Sequence, residues 1–123
     1  MAYMTARKRA EGLGSAKSGT EHHWHTQVTS IALLILVPLF VFTFGPALGQ
    51  RYADVQEIYA RPFPAIVAAL TLVVSAKHFA SGAQSLWLDY TDGVTRKLAI
   101  IATTCVAYAA AAAGLFGLAR LAL

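Results

Sequence analysis

Three apolar runs constrain this chain more than any other feature. Val28 to Leu48 carries no charged side chain in 21 residues. Pro62 to Leu88 carries one, Lys77, in 27 residues, and Leu98 to Ala119 carries none in 22. A helix of about 20 apolar residues crosses the hydrocarbon core of a bilayer. No water reaches the backbone there, so N–H and C=O groups must pair within the segment, which makes each run a helix. The expectation is an all-α fold, an integral membrane bundle of three transmembrane helices spanning about 28–48, 63–88 and 98–119. Residues 1–26 read as a cytoplasmic N-terminal segment and 27–123 as the membrane domain. Composition agrees: 13% of residues are charged, against about 25% in soluble domains.

Basic residues set the orientation. Arg7, Lys8, Arg9 and Lys17 precede the first span, and Arg96 and Lys97 follow the second, so all six fall on one side. Arg51, Arg61 and Arg120 fall on the other. The positive-inside rule then puts the N-terminus and the loop after Tyr90 in the cytoplasm. Arg7–Arg9 resemble the start of a signal peptide, but the polar, Gly/Ser-rich run 11–20 follows where an apolar core would be needed. The short chain leaves little for a transit peptide, which favours a bacterial inner membrane over a mitochondrial one. The basic residues flank spans rather than line a binding face, so no nucleic acid partner is expected.

Pro38 lies mid-run in the first span and should bend it. Between the first two spans, residues 54–58 can form a surface helical turn. The third span holds Ala109 to Ala113, Gly114 and Gly117, small residues that let helices approach closely in lipid. Cys105, the single cysteine, reads as a small buried residue.

The second span carries the chemistry. His78 sits deep within it, and residues 78–90 read HFASGAQSLWLDY. Ionisable side chains in spans are costly and are usually kept for function. Neutral imidazole is an axial ligand of haem iron, but it can equally hydrogen-bond a neighbouring helix. His78, Gly82, Ser85 and Asp89 recur on one helical face. Gly82, one turn on, would let a flat macrocycle approach the backbone. Tyr90 lies twelve residues beyond His78, about 18 Å at roughly 1.5 Å per residue. With Tyr90 at the interface, His78 is near the bilayer middle. Lys77 points about 100° away around the helix and can snorkel or reach a haem propionate. Tyr90 and Asp89 can be an interfacial aromatic anchor and a solvated carboxylate, or a headgroup-binding pair.

Before the first span lies Glu21-His22-His23-Trp24-His25-Thr26-Gln27. Three histidines in four positions suggest metal, yet the chain offers no second cysteine and no metal-ligand motif. A hydrogen-bonding collar at the membrane surface fits better, with the capacity to hold propionates or the edge of a quinone.

Three spans, the histidine-rich approach to the first, the run Thr29-Ser30-Ile31-Ala32-Leu33, and H-x3-G-x6-DY across the second resemble the succinate dehydrogenase hydrophobic membrane anchor subunits, the D-type subunits of respiratory complex II. The resemblance covers about residues 20–119. It implies that His78 is an axial ligand of haem b shared with a sister cytochrome b-type anchor subunit. It also implies that Tyr90 hydrogen-bonds ubiquinone with Asp89 beside it. Many members carry a propionate-pairing arginine where this chain has Gln27, so His22, His23 or His25 would have to take that contact.

The resemblance further implies a flavoprotein with covalent FAD and an iron–sulfur subunit as partners. This chain has none of the flavin or cluster motifs, so it is not an enzyme by itself. Its tasks would be to dock those subunits, share the haem and contribute to the ubiquinone-reduction site of a succinate:quinone oxidoreductase. Two alternatives stand beside this: the anchor of a quinol:fumarate reductase, and a small transporter or channel subunit using His78 and Lys77 on a proton path.

Overall fold

A computed structural model describes residues 4–12 and 19–123. The elements are α1 (Ala6–Glu11), α2 (Gly19–Phe44), a 3-10 turn (Gly45–Ala47), α3 (Tyr52–Tyr59), α4 (Pro62–Tyr90) and α5 (Gly93–Ala122). Three of them, α2 with its 3-10 turn, α4 and α5, are long and apolar enough to cross a membrane. The expected surface turn at 54–58 is the centre of α3. Lys17 and most of the Gly/Ser-rich run lie outside the described residues.

Helix ends differ from the expected spans because hydropathy locates hydrocarbon rather than hydrogen bonding. Thus α2 begins at Gly19 and carries Glu21 to Gln27 on regular helix. Thr26 Oγ1 donates back to the His22 carbonyl at 3.0 Å. Pro38 sits inside α2 without ending it, although its ring removes one backbone donor. Elsewhere hydroxyls within the spans donate to carbonyls of their own helix, as Thr43 to Leu39, Thr71 to Val67 and Thr103 to Ala99.

The helix α4 is central. It packs against both α2 and α5, while the backbones of α2 and α5 do not approach each other closely among the described residues. Lipid is as apolar as leucine, so association here depends on close packing and hydrogen bonds rather than on hydrophobic burial. The α4–α5 seam uses small residues. Ala107 and Ala111 are buried at helical spacing, and Gly114 continues the stripe against Leu72. Cys105 does not join it. Contrary to the expectation of burial, Cys105 is exposed, because it stands off the buried stripe of Ala107 and Ala111.

Phe40, Phe44, Leu72, Ser75, Gly114 and Leu118 help to line an apolar cavity of about 510 Å³ at the end remote from Tyr90. Tyr59 of α3 also borders it, and burial raises that phenol above its ordinary pKa. A Cβ at Gly114 would lie 2.5 Å from Leu72 Cδ2, whereas one at Gly117 would meet nothing within 4 Å. Leu72 can yield to a single methyl by moving into the cavity, but not to a branched side chain. Gly114→Val should therefore cost about 1–3 kcal/mol by overpacking, and Gly114→Ala less. Gly117→Val serves as the reference, and thermal unfolding of the purified protein is the measurement.

Candidate functional site

The α2–α4 seam is polar at the Tyr90 end. His78 Nδ1 lies 3.0 Å from Thr29 Oγ1, and His22 Nε2 lies 3.2 Å from Ser85 Oγ. The helices run antiparallel, and the two pairs are seven residues apart on each, about 10 Å at roughly 1.5 Å per residue. They form two rungs of one ladder. Thr29 is one of two buried polar residues among those described. Its Oγ1 is also 3.1 Å from the His25 carbonyl and 2.9 Å from the Thr26 carbonyl.

His78 is half-buried. An imidazole has two nitrogens, and here their surroundings differ. Nδ1 spans to the neighbouring helix. Nε2 has no hydrogen-bond partner among the described residues and is not sealed off by the chain's own atoms. Gly82, one turn on, is exposed, and a Cβ there would meet nothing within 4 Å. The turn beyond His78 is thus as thin as the sequence indicates, with open space over it.

The histidines before the span separate by helical phase. His22 enters the seam. His25 is exposed and approaches Glu21 at 3.8 Å on its own helix. His23, Gln27 and Lys77 are exposed with no side-chain hydrogen bond among the described residues. No cluster of three or more His, Cys, Asp or Glu side chains that could hold a metal ion occurs among the described residues.

Tyr90 ends α4 and is 82% exposed, with Asp89 exposed beside it. The corner beneath them is two residues long, Thr91 and Asp92. Thr91 donates its hydroxyl to the Trp87 carbonyl at 2.6 Å. Arg96 Nε donates to the Thr91 carbonyl, and its Nη2 pairs with Asp92 Oδ1 at 2.6 Å. A cation is thereby held against the C-terminal end of α4, where the helix dipole is negative. Gly93 adopts φ +58, a left-handed conformation that closes the corner at little cost for glycine. Trp87 Nε1, one turn before the corner, is buried without a partner among the described residues.

Spacing alone does not mark Thr29, which stands in an apolar run, or Arg96, which counts only as a loop cation. Each takes its role from a neighbour on another element.

Comparison with known proteins follows the same lines. A family described as the succinate dehydrogenase/fumarate reductase transmembrane subunit matches residues 1–113. The succinate dehydrogenase hydrophobic membrane anchor subunit of Paracoccus denitrificans is 43% identical over 123 residues, covering 100% of this chain and 95% of that protein. The protein of the same description from Rickettsia bellii (strain RML369-C) is 33% identical over 85 residues, covering 67% of this chain and 66% of its own length. No solved structure matches the chain.

Proposed function

The chain belongs to the succinate dehydrogenase/fumarate reductase transmembrane subunit family, and from that premise we propose that it shares a haem b with a second anchor and helps to bind ubiquinone. It is a multi-pass membrane-anchor subunit of succinate dehydrogenase, not a catalytic subunit, and it works with the catalytic subunits at a lipid bilayer. Those subunits would be the flavoprotein, carrying FAD, and the iron–sulfur protein that delivers electrons to the membrane surface. The positive-inside count supports a cytoplasmic side for the Tyr90 corner and the N-terminus, and the membrane would be a bacterial inner membrane.

One observation carries the haem reading. His78, about midway through a span, is tied to α2 through Nδ1 and keeps Nε2 free. Imidazole with one nitrogen hydrogen-bonded and the other available is the usual state of a metal-binding histidine. The residues present therefore fit the group. His78 would bind the iron, and Gly82 would leave room for the ring. His22, His23, His25 and Gln27 at the approach to the first span, and Lys77 beside His78, are the polar side chains that would face propionates. The haem would supply a one-electron redox centre within the bilayer.

For the quinone, Tyr90 presents a phenol that can donate a hydrogen bond to a quinone oxygen, stabilising negative charge that develops there on reduction. Asp89 adds a negative charge beside it and favours proton uptake at that site. Arg96 keeps the corner fixed, so the phenol is presented by a rigid helix end.

The test is isolation of the tagged chain from its own membrane. Flavoprotein, iron–sulfur protein and a second anchor should co-purify, and dithionite should develop a b-type haem band. Co-purification of the partners without that band overturns the haem proposal.

A further inference from the structure

We infer that Thr29 is a positioning residue that fixes the tautomer of His78, holding the ring proton on Nδ1 so that Nε2 presents its lone pair to iron. This rests on the proposal that His78 is an axial ligand.

The argument is one of counting protons. A threonine hydroxyl has one proton and two lone pairs. Thr29 Oγ1 lies 2.9 Å from the Thr26 carbonyl and 3.1 Å from the His25 carbonyl. Carbonyl oxygens only accept, and both contacts have donor geometry for the hydroxyl, so we assign the Thr29 proton to one of them. At 3.0 Å from His78 Nδ1, Oγ1 is then the acceptor and Nδ1–H the donor. A neutral imidazole carries one ring proton, so Nε2 carries none. The bond is sheltered, because Thr29 is 8% exposed, and it does not depend on a mobile surface group.

The second rung supports the same role. His22 and Ser85 join α2 and α4 seven residues away on each helix. Two rungs on one seam restrict rotation of α4 about its axis and hence the direction of the His78 ring. Ser85 Oγ also lies 3.3 Å from the Ser81 carbonyl, repeating the arrangement of a hydroxyl between its own backbone and a histidine.

A hydrogen bond accepted from Nδ1–H raises the electron density, and so the ligand strength, of Nε2. A stronger donor favours ferric iron. Loss of the acceptor should therefore raise the midpoint potential of the haem and weaken its retention by about tenfold or more. Thr29→Val keeps the shape of threonine and deletes the hydroxyl. Thr29→Ser keeps the hydroxyl.

The experiment is a redox titration and low-temperature spectrum of the haem in the complete complex, for wild type, Thr29→Val and Thr29→Ser. The expected result is a low-spin haem with a more positive potential and lower occupancy in Thr29→Val, and wild-type values in Thr29→Ser. A packing role alone would alter assembly without moving the potential of the haem that remains. If Thr29→Val does not assemble, Thr29→Ala, which also lacks the hydroxyl, takes its place. An unchanged or more negative potential in the hydroxyl-free variant overturns the inference, and so does a Thr29→Ser protein that shifts as the valine protein does. His78→Leu separates the two levels. If it retains the low-spin haem, the ligand assignment itself fails. If it loses the haem while Thr29→Val keeps the wild-type potential, only the role of Thr29 fails.

Discussion

Replacing His78 with leucine should abolish the low-spin b-type haem spectrum of the assembled complex. Leucine fills comparable volume, adds no polar group and removes both ring nitrogens. The rung to Thr29 is lost as well, but interhelical hydrogen bonds in membranes average only about 0.6 kcal/mol. The helix pair should therefore survive on the His22–Ser85 rung and its packing, and the anchor should still be found with its partners. The absorption change then reports ligation rather than unfolding. Gly82→Leu sharpens the result. The chain itself offers no obstacle to a side chain at Gly82, since a Cβ there meets nothing within 4 Å. A fall in haem content in that variant, with the protein otherwise intact, points to a group that occupies the space outside the helix. An unchanged low-spin spectrum in His78→Leu sinks the ligand assignment, and the iron must then be held by other residues.

The spans, their number, and the positions of His78 within one and Tyr90 at its end were legible in the chain itself. Hydrocarbon imposes its own grammar: about 20 residues without charge must be helix, and an imidazole within them stands out. Tyr90 was visible because it closes a span beside a carboxylate. Other features depended on knowing which faces meet. Thr29 becomes a partner of His78 only once α2 and α4 are set in register. The three histidines before the first span looked alike until helical phase put His22 in the seam and left His23 and His25 exposed. Cys105 was misjudged for the same reason, since hydropathy reports that a residue tolerates lipid and not whether another helix covers it. The start of α2 lies ahead of the first span because polar residues continue a helix beyond the hydrocarbon. Arg96 had been visible only as a charge that sets orientation. Its second task, holding the corner under Tyr90, needs the two-residue length of that corner to be known.

Tyr90→Phe should slow succinate-driven quinone reduction while leaving succinate oxidation with an artificial acceptor unchanged. The substitution keeps the ring at the membrane surface and deletes one hydroxyl. Tyr90 is 82% exposed at the end of α4 and its hydroxyl has no hydrogen-bond partner among the described residues, so deleting that hydroxyl costs the fold little. A lost hydrogen bond is worth about 0.5–1.5 kcal/mol, which corresponds to a roughly two- to twelvefold weaker quinone interaction. The loss in rate is larger if the bond strengthens as charge builds on the quinone oxygen, because only interactions gained on the way to the transition state accelerate the step. Asp89→Asn, which keeps size and removes charge, separates the contribution of the neighbouring carboxylate. The artificial-acceptor assay bypasses the membrane site, so it controls for assembly of the soluble subunits. Equal quinone reductase rates in wild type and Tyr90→Phe reduce Tyr90 to an interfacial anchor of the kind common at membrane surfaces. The hydrogen-bond donors for the quinone would then have to come from the partner subunits.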